Sequence, residues 1–176
     1  MRRSLSPLSA LLLALATTLA ALNPPSAIAA DDHHSAVIAV FGFSYSDTSG
    51  EVRDQRNEHA ARLARFMSAL EADLEAPGKL RVVVLVCRPE PCTPTQSAPA
   101  DALEAARAAG TDLLMIGTIH KMSTLVQWAK VEVINSKSGQ AVLDKLFSFR
   151  GDSDEAWVRA EAFIADEITA HKWTDQ

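Results

Sequence analysis

Three short apolar runs, separated by helical segments, constrain the fold of this chain more than any other feature. The runs cover residues 37–41, 80–86 and 112–119, and their β-branched, nearly continuous apolar character is typical of strands covered on both faces. Helical periodicity fills residues 55–76, and a shorter helical segment runs from residue 99 to 110. Because a strand-helix-strand crossover joins parallel strands, the first part of the chain predicts a parallel sheet.

The second part of the chain predicts an antiparallel extension of that sheet. Strands are expected at residues 125–134 and 141–149, joined by a turn in which Gly139 supplies a positive φ. Asp152 and Glu155 have the spacing of a capping box and predict the start of the last helix. The order is β-α-β-α-β-β-β-α. We therefore predict a single α/β (α+β) domain with a mixed five-stranded sheet and three helices.

The N-terminal region has the pattern of a cleaved secretory signal peptide. Arg2 and Arg3 precede an apolar run at residues 10–22, and small residues end at Ala29 and Ala30. The apolar run is thin for a bilayer span of about 20 residues, so a retained anchor is the weaker alternative. The pattern predicts a signal peptide at residues 1–29, a mature domain at 30–176 and a periplasmic location, with cleavage after Ala30 as the other possibility.

The mature chain is acidic, and its charge bears on the class of partner. Without the first 29 residues it has 147 residues, and the loss of two arginines takes the formal net charge from −5 to −7. Its length is enough to bury one sizeable core. An acidic chain without a basic run favours neither a nucleic acid nor an anionic membrane as partner. The composition therefore favours a periplasmic protein partner.

The two cysteines, Cys87 and Cys92, both lie in the exported part of the chain. In an oxidising compartment such a pair indicates a disulfide. The loop between them is short and holds Pro89 and Pro91. A disulfide that closes it should therefore stabilise the fold by less than the ~3 kcal/mol expected for a 15-residue loop. A metal-binding or redox role is the alternative, although the C-x4-C spacing differs from the redox motif C-x-x-C.

A family resemblance is carried by segments spread over residues 36–165, namely 38–43 (IAVFGF), 112–119 (DLLMIGTI) and 150–157 (RGDSDEAW). The chain resembles the N-terminal α/β domain of periplasmic TolB, and more closely a secreted bacterial family of unknown function, the 2380/3280 type. The first resemblance implies only a fold. Because no C-terminal β-propeller is expected, it does not imply the partner binding that TolB achieves through its propeller. The second implies at most an accessory role beside periplasmic quinoprotein alcohol dehydrogenases.

No motif for hydrolase, zinc-protease or nucleotide chemistry occurs in the sequence. The five histidines are scattered, and we interpret them as surface residues. Trp128 and Trp157 are expected in or near the core. Residues 42–50 read as a polar turn, since five of them are serine, threonine or aspartate.

One group of polar residues points to a site. In the predicted topology, strands one, two, three and five run in the same direction, so their carboxyl ends share one edge, where open α/β sheets bind ligands. The functional interpretation is a site for a protein partner or a small anionic ligand, in which Lys121 and Arg150 are expected to be partly exposed. The alternative is that these residues are loops and caps, with Arg150 paired to Asp154. The candidate residues are Asp47, Thr48, Ser49, His120, Lys121, Ser123, Arg150 and Asp152.

These observations leave two functional hypotheses. The first is a periplasmic, non-catalytic binding or accessory protein with no cofactor. The second is a metal-carrying protein or small enzyme that uses the same polar edge. Cleavage after Ala30 would start the mature chain at Asp31, placing His33 third, where an amine, two amides and an imidazole suit Cu(II) or Ni(II), with His34 as a further ligand.

Overall fold

Seven strands and three helices make up the part of the chain that the computed structural model describes, residues 35–87 and 90–173. None of the helices in this part has the length and apolar content needed to cross a membrane. The helices are α1 (Arg56–Glu75), α2 (Pro99–Ala108) and α3 (Asp154–Ala170). The strands are β1 (Ala36–Asp47), β2 (Leu80–Val83), β3 (Val86–Cys87), β4 (Glu90–Pro91), β5 (Leu113–Lys121), β6 (Val126–Asn135) and β7 (Ala141–Arg150).

Five of these strands form one mixed sheet in the order β2-β1-β5-β6-β7. Strand β1 is parallel to β2 and β5, whereas β6 is antiparallel to both β5 and β7. Strands β1, β2, β5 and β7 therefore run in the same direction and end at the same edge. The predicted fold class, the five-stranded sheet and the three helices are confirmed. The short hairpin of β3 and β4 is an addition to the predicted order.

The helices divide the two faces of the sheet unequally. Helices α1 and α3 pack on one face, which we call the covered face, and their apolar residues join its core. That core includes Ile38, Leu70, Met115, Ile119, Val131, Trp157, Ile164 and Ile168, all 2% exposed or less. Helix α2 packs on the other face, against a smaller cluster that contains Ala39, Phe41 and Leu114. Trp157 is a core residue as predicted, whereas Trp128 is half-buried.

Strand β1 is much longer than predicted, and the turn expected at residues 42–50 is wrong for residues 42–47, which are strand. A bulge between Val40 and Gly42 shifts the register, and Gly42 has a φ of 102°, a conformation that favours glycine. The strand then continues to Asp47, pairing with β5 throughout. Phe43 lies across from Gly117, where a Cβ would clash with the Phe43 ring at 2.1 Å. Ser44 and Ser46 are therefore strand residues on one face, and the loop begins only at Thr48.

The start of α3 also differs from the prediction. Its N-cap is Ser153, whose side chain accepts a hydrogen bond from the backbone N–H of Ala156 at 3.3 Å. The capping box of Asp152 and Glu155 is wrong, because the carboxylate of Asp152 accepts hydrogen bonds from other side chains instead. Those contacts belong to the candidate site described below.

The predicted disulfide is present between Cys87 and Cys92, with a Cα–Cα distance of 4.8 Å. It joins the last residue of β3 to the residue after β4 and so closes the small hairpin. Cys92 is 6% exposed and packs in the α2 cluster. The disulfide therefore fixes a connection at the edge of the sheet against α2.

Candidate functional site

The carboxyl edge of the sheet brings most of the predicted site residues together and then divides them between its two faces. Strands β1, β5 and β7 end there at Asp47, Lys121 and Arg150. Alternate residues of a strand point to opposite faces. Lys121 therefore follows the core residues of β5 onto the covered face, while its neighbour His120 lies on the other face.

Charged and polar side chains surround the buried Nζ of Lys121 and range from the buried His59 to the exposed Glu51. Its side chain is fully buried, and its Nζ donates hydrogen bonds to Asp152 Oδ2 at 2.6 Å, to Gln55 Oε1 at 2.7 Å and to Glu51. Asp47 Oδ2 lies 3.9 Å from the same nitrogen. We call Glu51, Gln55, His59, Arg62, Lys121 and Asp152 the ionic network.

Asp152 is the acceptor that connects this network to the helices. Its carboxylate receives hydrogen bonds from His59 Nε2 at 2.9 Å and from an Arg62 guanidinium nitrogen at 2.9 Å. Gln127, a buried residue of β6, approaches the same carboxylate at 3.4 Å. The network therefore ties the ends of β5 and β7 to the loop before α1 and to α1 itself.

The charges of the network stabilise one another. Burial by itself lowers the pKa of Lys121, but the hydrogen bonds and negative charges of Asp152 and Glu51 outweigh it and raise that pKa above its usual value. Burial likewise opposes ionisation of Asp152, and hydrogen bonds from Lys121 and His59 nonetheless lower its pKa. Both groups are held in their charged forms.

The expectation that Lys121 is partly exposed is wrong, and so is the interpretation of all histidines as surface residues. His59 is 2% exposed, and its ring lies against Tyr45, with ring centroids 4.7 Å apart. Both positions carry a sequence signal: Lys121 extends the period-two apolar side of β5, and His59 begins the helical stripe continued by Phe66 and Leu70. Glu51, Gln55, Arg62 and Gln127 were missed because no local pattern brings them to Lys121.

On the opposite side of the same edge lies a shallower surface. Helix α2 covers the amino-terminal part of this face. Among the described residues, no helix packs on the carboxyl-terminal part of β1 and β5 or on most of β6 and β7. We call this the open face, and its strands present Ser44, Ser46, Thr118, His120, Trp128, Lys130, Leu146, Ser148 and Arg150.

Side chains of the open face contact one another across the strands. His120 Nε2 is 2.6 Å from Thr48 Oγ1, and the His120 ring lies 4.9 Å from the Trp128 ring. Ser44 Oγ is 2.9 Å from Thr118 Oγ1. Leu146 is 64% exposed, so the surface combines aromatic, apolar and polar groups.

The remaining predicted residues shape the loops. Asp47 Oδ1 accepts from the backbone N–H of Ser49 at 2.8 Å, and Ser49 Oγ accepts from Glu51 N at 3.4 Å. Ser123 Oγ accepts from two backbone N–H groups in the β5–β6 turn. Arg150 is exposed. Its predicted pairing with Asp154 is wrong, because that carboxylate bonds to arginines of α1.

The predicted N-terminal metal ligands, His33 and His34, lie outside the described residues, as does the signal peptide at 1–29. Within the described part of the chain, no three His, Cys, Asp or Glu residues are grouped so that they could hold a metal ion.

A groove of about 130 Å³ lies between α1 and α3, beside the ionic network. Glu161 lines it and is 3% exposed, and its Oε1 has no hydrogen-bond partner among the described residues. Burial raises the pKa of Glu161 to about 7, and the charges of Asp73 and Asp166 act in the same direction. Unlike Asp152, this carboxyl makes no ion pair with a cation in the part of the chain that the structure describes.

The sequence matches a family model over residues 36–168, from the first residue of β1 into the last turns of α3. The chain belongs to this family, DUF3280, described as a protein of unknown function (DUF2380). The match confirms the resemblance read from the sequence. No curated protein matches the chain.

Several solved structures are similar to the domain. The C-terminal domain of LpoB from Escherichia coli has a TM-score of 0.48 at 10% identity, covering 65% of this chain and 82% of that one. A PelC dodecamer from Paraburkholderia phytofirmans has a TM-score of 0.47 at 16% identity, covering 80% and 91%. TolB from Acinetobacter baumannii has a TM-score of 0.45 at 16% identity, covering 76% of this chain and 27% of TolB. At such identities the similarity concerns the fold alone.

Proposed function

We propose that this DUF3280 protein is an exported, non-catalytic binding or accessory protein of the periplasm, and that it recognises a protein partner through the open face. The observation that carries the proposal is the uncovered half of the sheet. There Trp128, His120 and the 64% exposed Leu146 lie side by side with serines and Arg150. Aromatic and arginine side chains set among polar groups are typical of protein–protein contact sites.

The state of the charged groups supports binding over catalysis. A general acid or base has to reach the proton it transfers. Lys121 is fully buried, and its Nζ donates its hydrogen bonds to Glu51, Gln55 and Asp152. His59 is also buried, with its Nε2 on Asp152. These groups satisfy one another, and their position favours a role in holding the loops beside the open face.

A photo-cross-linking experiment tests the proposal in the periplasm. A photo-reactive amino acid replaces Ser46, an exposed residue that lies across from His120 on the open face. The matched control places the same amino acid at Ala72, an exposed residue of α1 on the other side of the sheet. We expect a discrete heterologous adduct from position 46, reduced by Trp128→Ala, and none from position 72.

Equal labelling from both positions, or no adduct from either, would contradict the proposal. Mass spectrometry of the adduct also addresses its finer form. From the family resemblance, we propose that the partner belongs to a periplasmic quinoprotein oxidoreductase system. An adduct with an unrelated envelope protein would remove this finer proposal and leave the binding function in place.

The metal-carrying alternative rests on the sequence around the cleavage site. If the exported chain starts at Asp31, its amine, two amides and His33 form a nitrogen set for Cu(II) or Ni(II). N-terminal sequencing followed by copper titration tests this, because a chain that starts at Ala30 would place His33 fourth. The absence of a visible absorption band at one equivalent of copper would also exclude it.

A further inference from the structure

The two edge strands of the sheet, β2 and β7, differ in how their outer backbone is protected. Strand β2 has four residues, and the backbone N–H of Val82 donates to the Glu75 carboxylate of α1 at 3.0 Å. Strand β7 has ten residues with neither proline nor glycine. In the described part of the chain, no side chain hydrogen-bonds to the backbone of Ala141–Arg150. A long edge strand without such protection is a template for another strand.

Exposed apolar side chains flank this edge on both faces. On the covered face, the Phe147 ring contacts the Phe163 ring of α3, with centroids 5.9 Å apart, and Phe163 is 56% exposed. On the open face, Leu146 is 64% exposed. Two charged residues of the strand already have partners within the chain: Asp144 bonds to Lys130, and Lys145 bonds to Glu167 at 2.6 Å. The Asp144 side chain is still 55% exposed, so its carboxylate can accept a second cation.

We propose that β7 pairs with β7 of a second copy of this chain, antiparallel about a two-fold axis at Phe147. The two five-stranded sheets would then join into one sheet of ten strands. The argument is the self-complementary sequence of the strand: this register places Asp144 of each copy opposite Arg150 of the other. Two-fold symmetry forms that ion pair twice.

Other registers match less well. Residues opposite one another in an antiparallel pair share a face, so a shift that changes the parity would turn apolar residues to the wrong side. An axis at Lys145 would place two lysines opposite each other, and an axis at Leu146 would place Arg150 opposite Val142. The axis at Phe147 sets Leu146 opposite Ser148 and brings the two Phe147 rings together.

This pairing accounts for the exposure of Phe163, because the partner's Phe147 ring would approach it from across the axis. It also leaves the open face uncovered and makes it continuous between the two copies. The proposal stands on β7 and does not depend on the photo-cross-linking result at Ser46.

Sedimentation velocity of the exported protein, measured over a wide concentration range, tests the pairing. We expect a concentration-dependent dimer. Asp144→Arg and Arg150→Asp should each raise the dimer dissociation constant about tenfold, because each puts like charges opposite one another twice. The double variant Asp144→Arg/Arg150→Asp should return it towards the wild-type value. Glu104→Arg, a charge reversal at an exposed position of α2, should leave it unchanged.

Circular dichroism confirms that each variant is folded, which is expected since both altered positions are exposed. A wild-type protein that sediments as a monomer at every concentration would overturn the proposal. A dimer that the single reversals leave unchanged, or that the double variant fails to restore, would overturn the β7 register.

Discussion

Lys121 and His120 are neighbours in the sequence and belong to regions of opposite character. The Lys121 side chain is fully buried among Glu51, Gln55 and Asp152. His120 lies half-buried on the open face, with a hydrogen bond to Thr48 and a ring contact to Trp128. One step along a strand therefore separates a residue that holds the fold together from one that can contact a partner.

The difference follows from what covers each face. On the covered face, α1 and α3 exclude water, so the charge of Lys121 has to be matched by nearby carboxylates. On the open face, water and partners reach the side chains, and pairing contributes little to stability. The same edge can therefore hold the loop ends together on the covered face and present a contact surface on the open face.

The largest effect is expected from removing the buried lysine of the network. Lys121→Met should lower the free energy of unfolding by about 3 kcal/mol, because the carboxylate of Asp152, which is only 10% exposed, loses one of its cations and keeps His59 and Arg62, while Glu51 loses its partner. Chemical denaturation measures the change. The matched control is Lys130→Met, which removes a lysine paired with Asp144 on the open face and should cost less than about 1 kcal/mol.

Equal losses from the two variants would show that the covered and open faces do not differ as described. Lys121→Glu is unsuitable as a binding variant for the same reason. It would bury a further negative charge beside two carboxylates, so the protein would lose its fold before any partner was tested.

Glu161 provides a second contrast, between a buried carboxyl with cations and one without. Its folded pKa of about 7 lies above the usual 4.5. The stability linked to its neutral form is complete below pH 4.5 and is lost as the pH rises to about 7. The loss amounts to at most about 3 kcal/mol. Glu161→Gln should therefore raise the free energy of unfolding by about 1–3 kcal/mol at pH 8 relative to wild type, and much less at pH 4.

Asp152→Asn is the matched control for this pH dependence. The pKa of Asp152 is lowered in the folded state, so its contribution is present at neutral pH and lost as the pH falls through the folded pKa. Denaturation curves are measured at pH 4 and pH 8. At pH 8, Glu161→Gln should raise the free energy of unfolding relative to wild type, and Asp152→Asn should lower it. A Glu161→Gln variant with the wild-type pH profile would refute the interpretation of Glu161.

The sequence predicts the sheet and its carboxyl edge better than it predicts which residues at that edge are buried. Apolar periodicity located every main strand, and the parallel order placed Asp47, Lys121 and Arg150 at one edge. The sequence prediction ends β1 at Phe41 because the polar Ser44 and Ser46 are typical of a turn, although Phe43 and Tyr45 continue the apolar alternation of the strand. Asp152 is predicted at the same edge as Lys121, and it is a partner. Glu51 and Gln55 could not be predicted as partners, because they reach Lys121 only after α1 docks on the sheet.

A smaller effect is expected at His120. His120→Ala should lower the free energy of unfolding by about 0.5–1 kcal/mol, since it removes one exposed hydrogen bond and one cross-strand ring contact. Cross-linking from Ser46 should fall in the same variant. Thermal denaturation and adduct yield are measured together. A loss as large as that of Lys121→Met would place His120 in the supporting structure and not in the contact surface.

The smallest effect on stability is expected from Arg150→Glu, one residue beyond the core position Phe149. Arg150 is exposed on the open face, so the free energy of unfolding should stay within about 0.5 kcal/mol of wild type. The measurement is made at low concentration, where self-association through β7 does not contribute. Partner capture from Ser46 should nevertheless fall, whereas Glu104→Arg on α2 should change neither quantity. If Arg150→Glu unfolds the protein, Arg150 supports the fold and is not part of the contact surface on the open face.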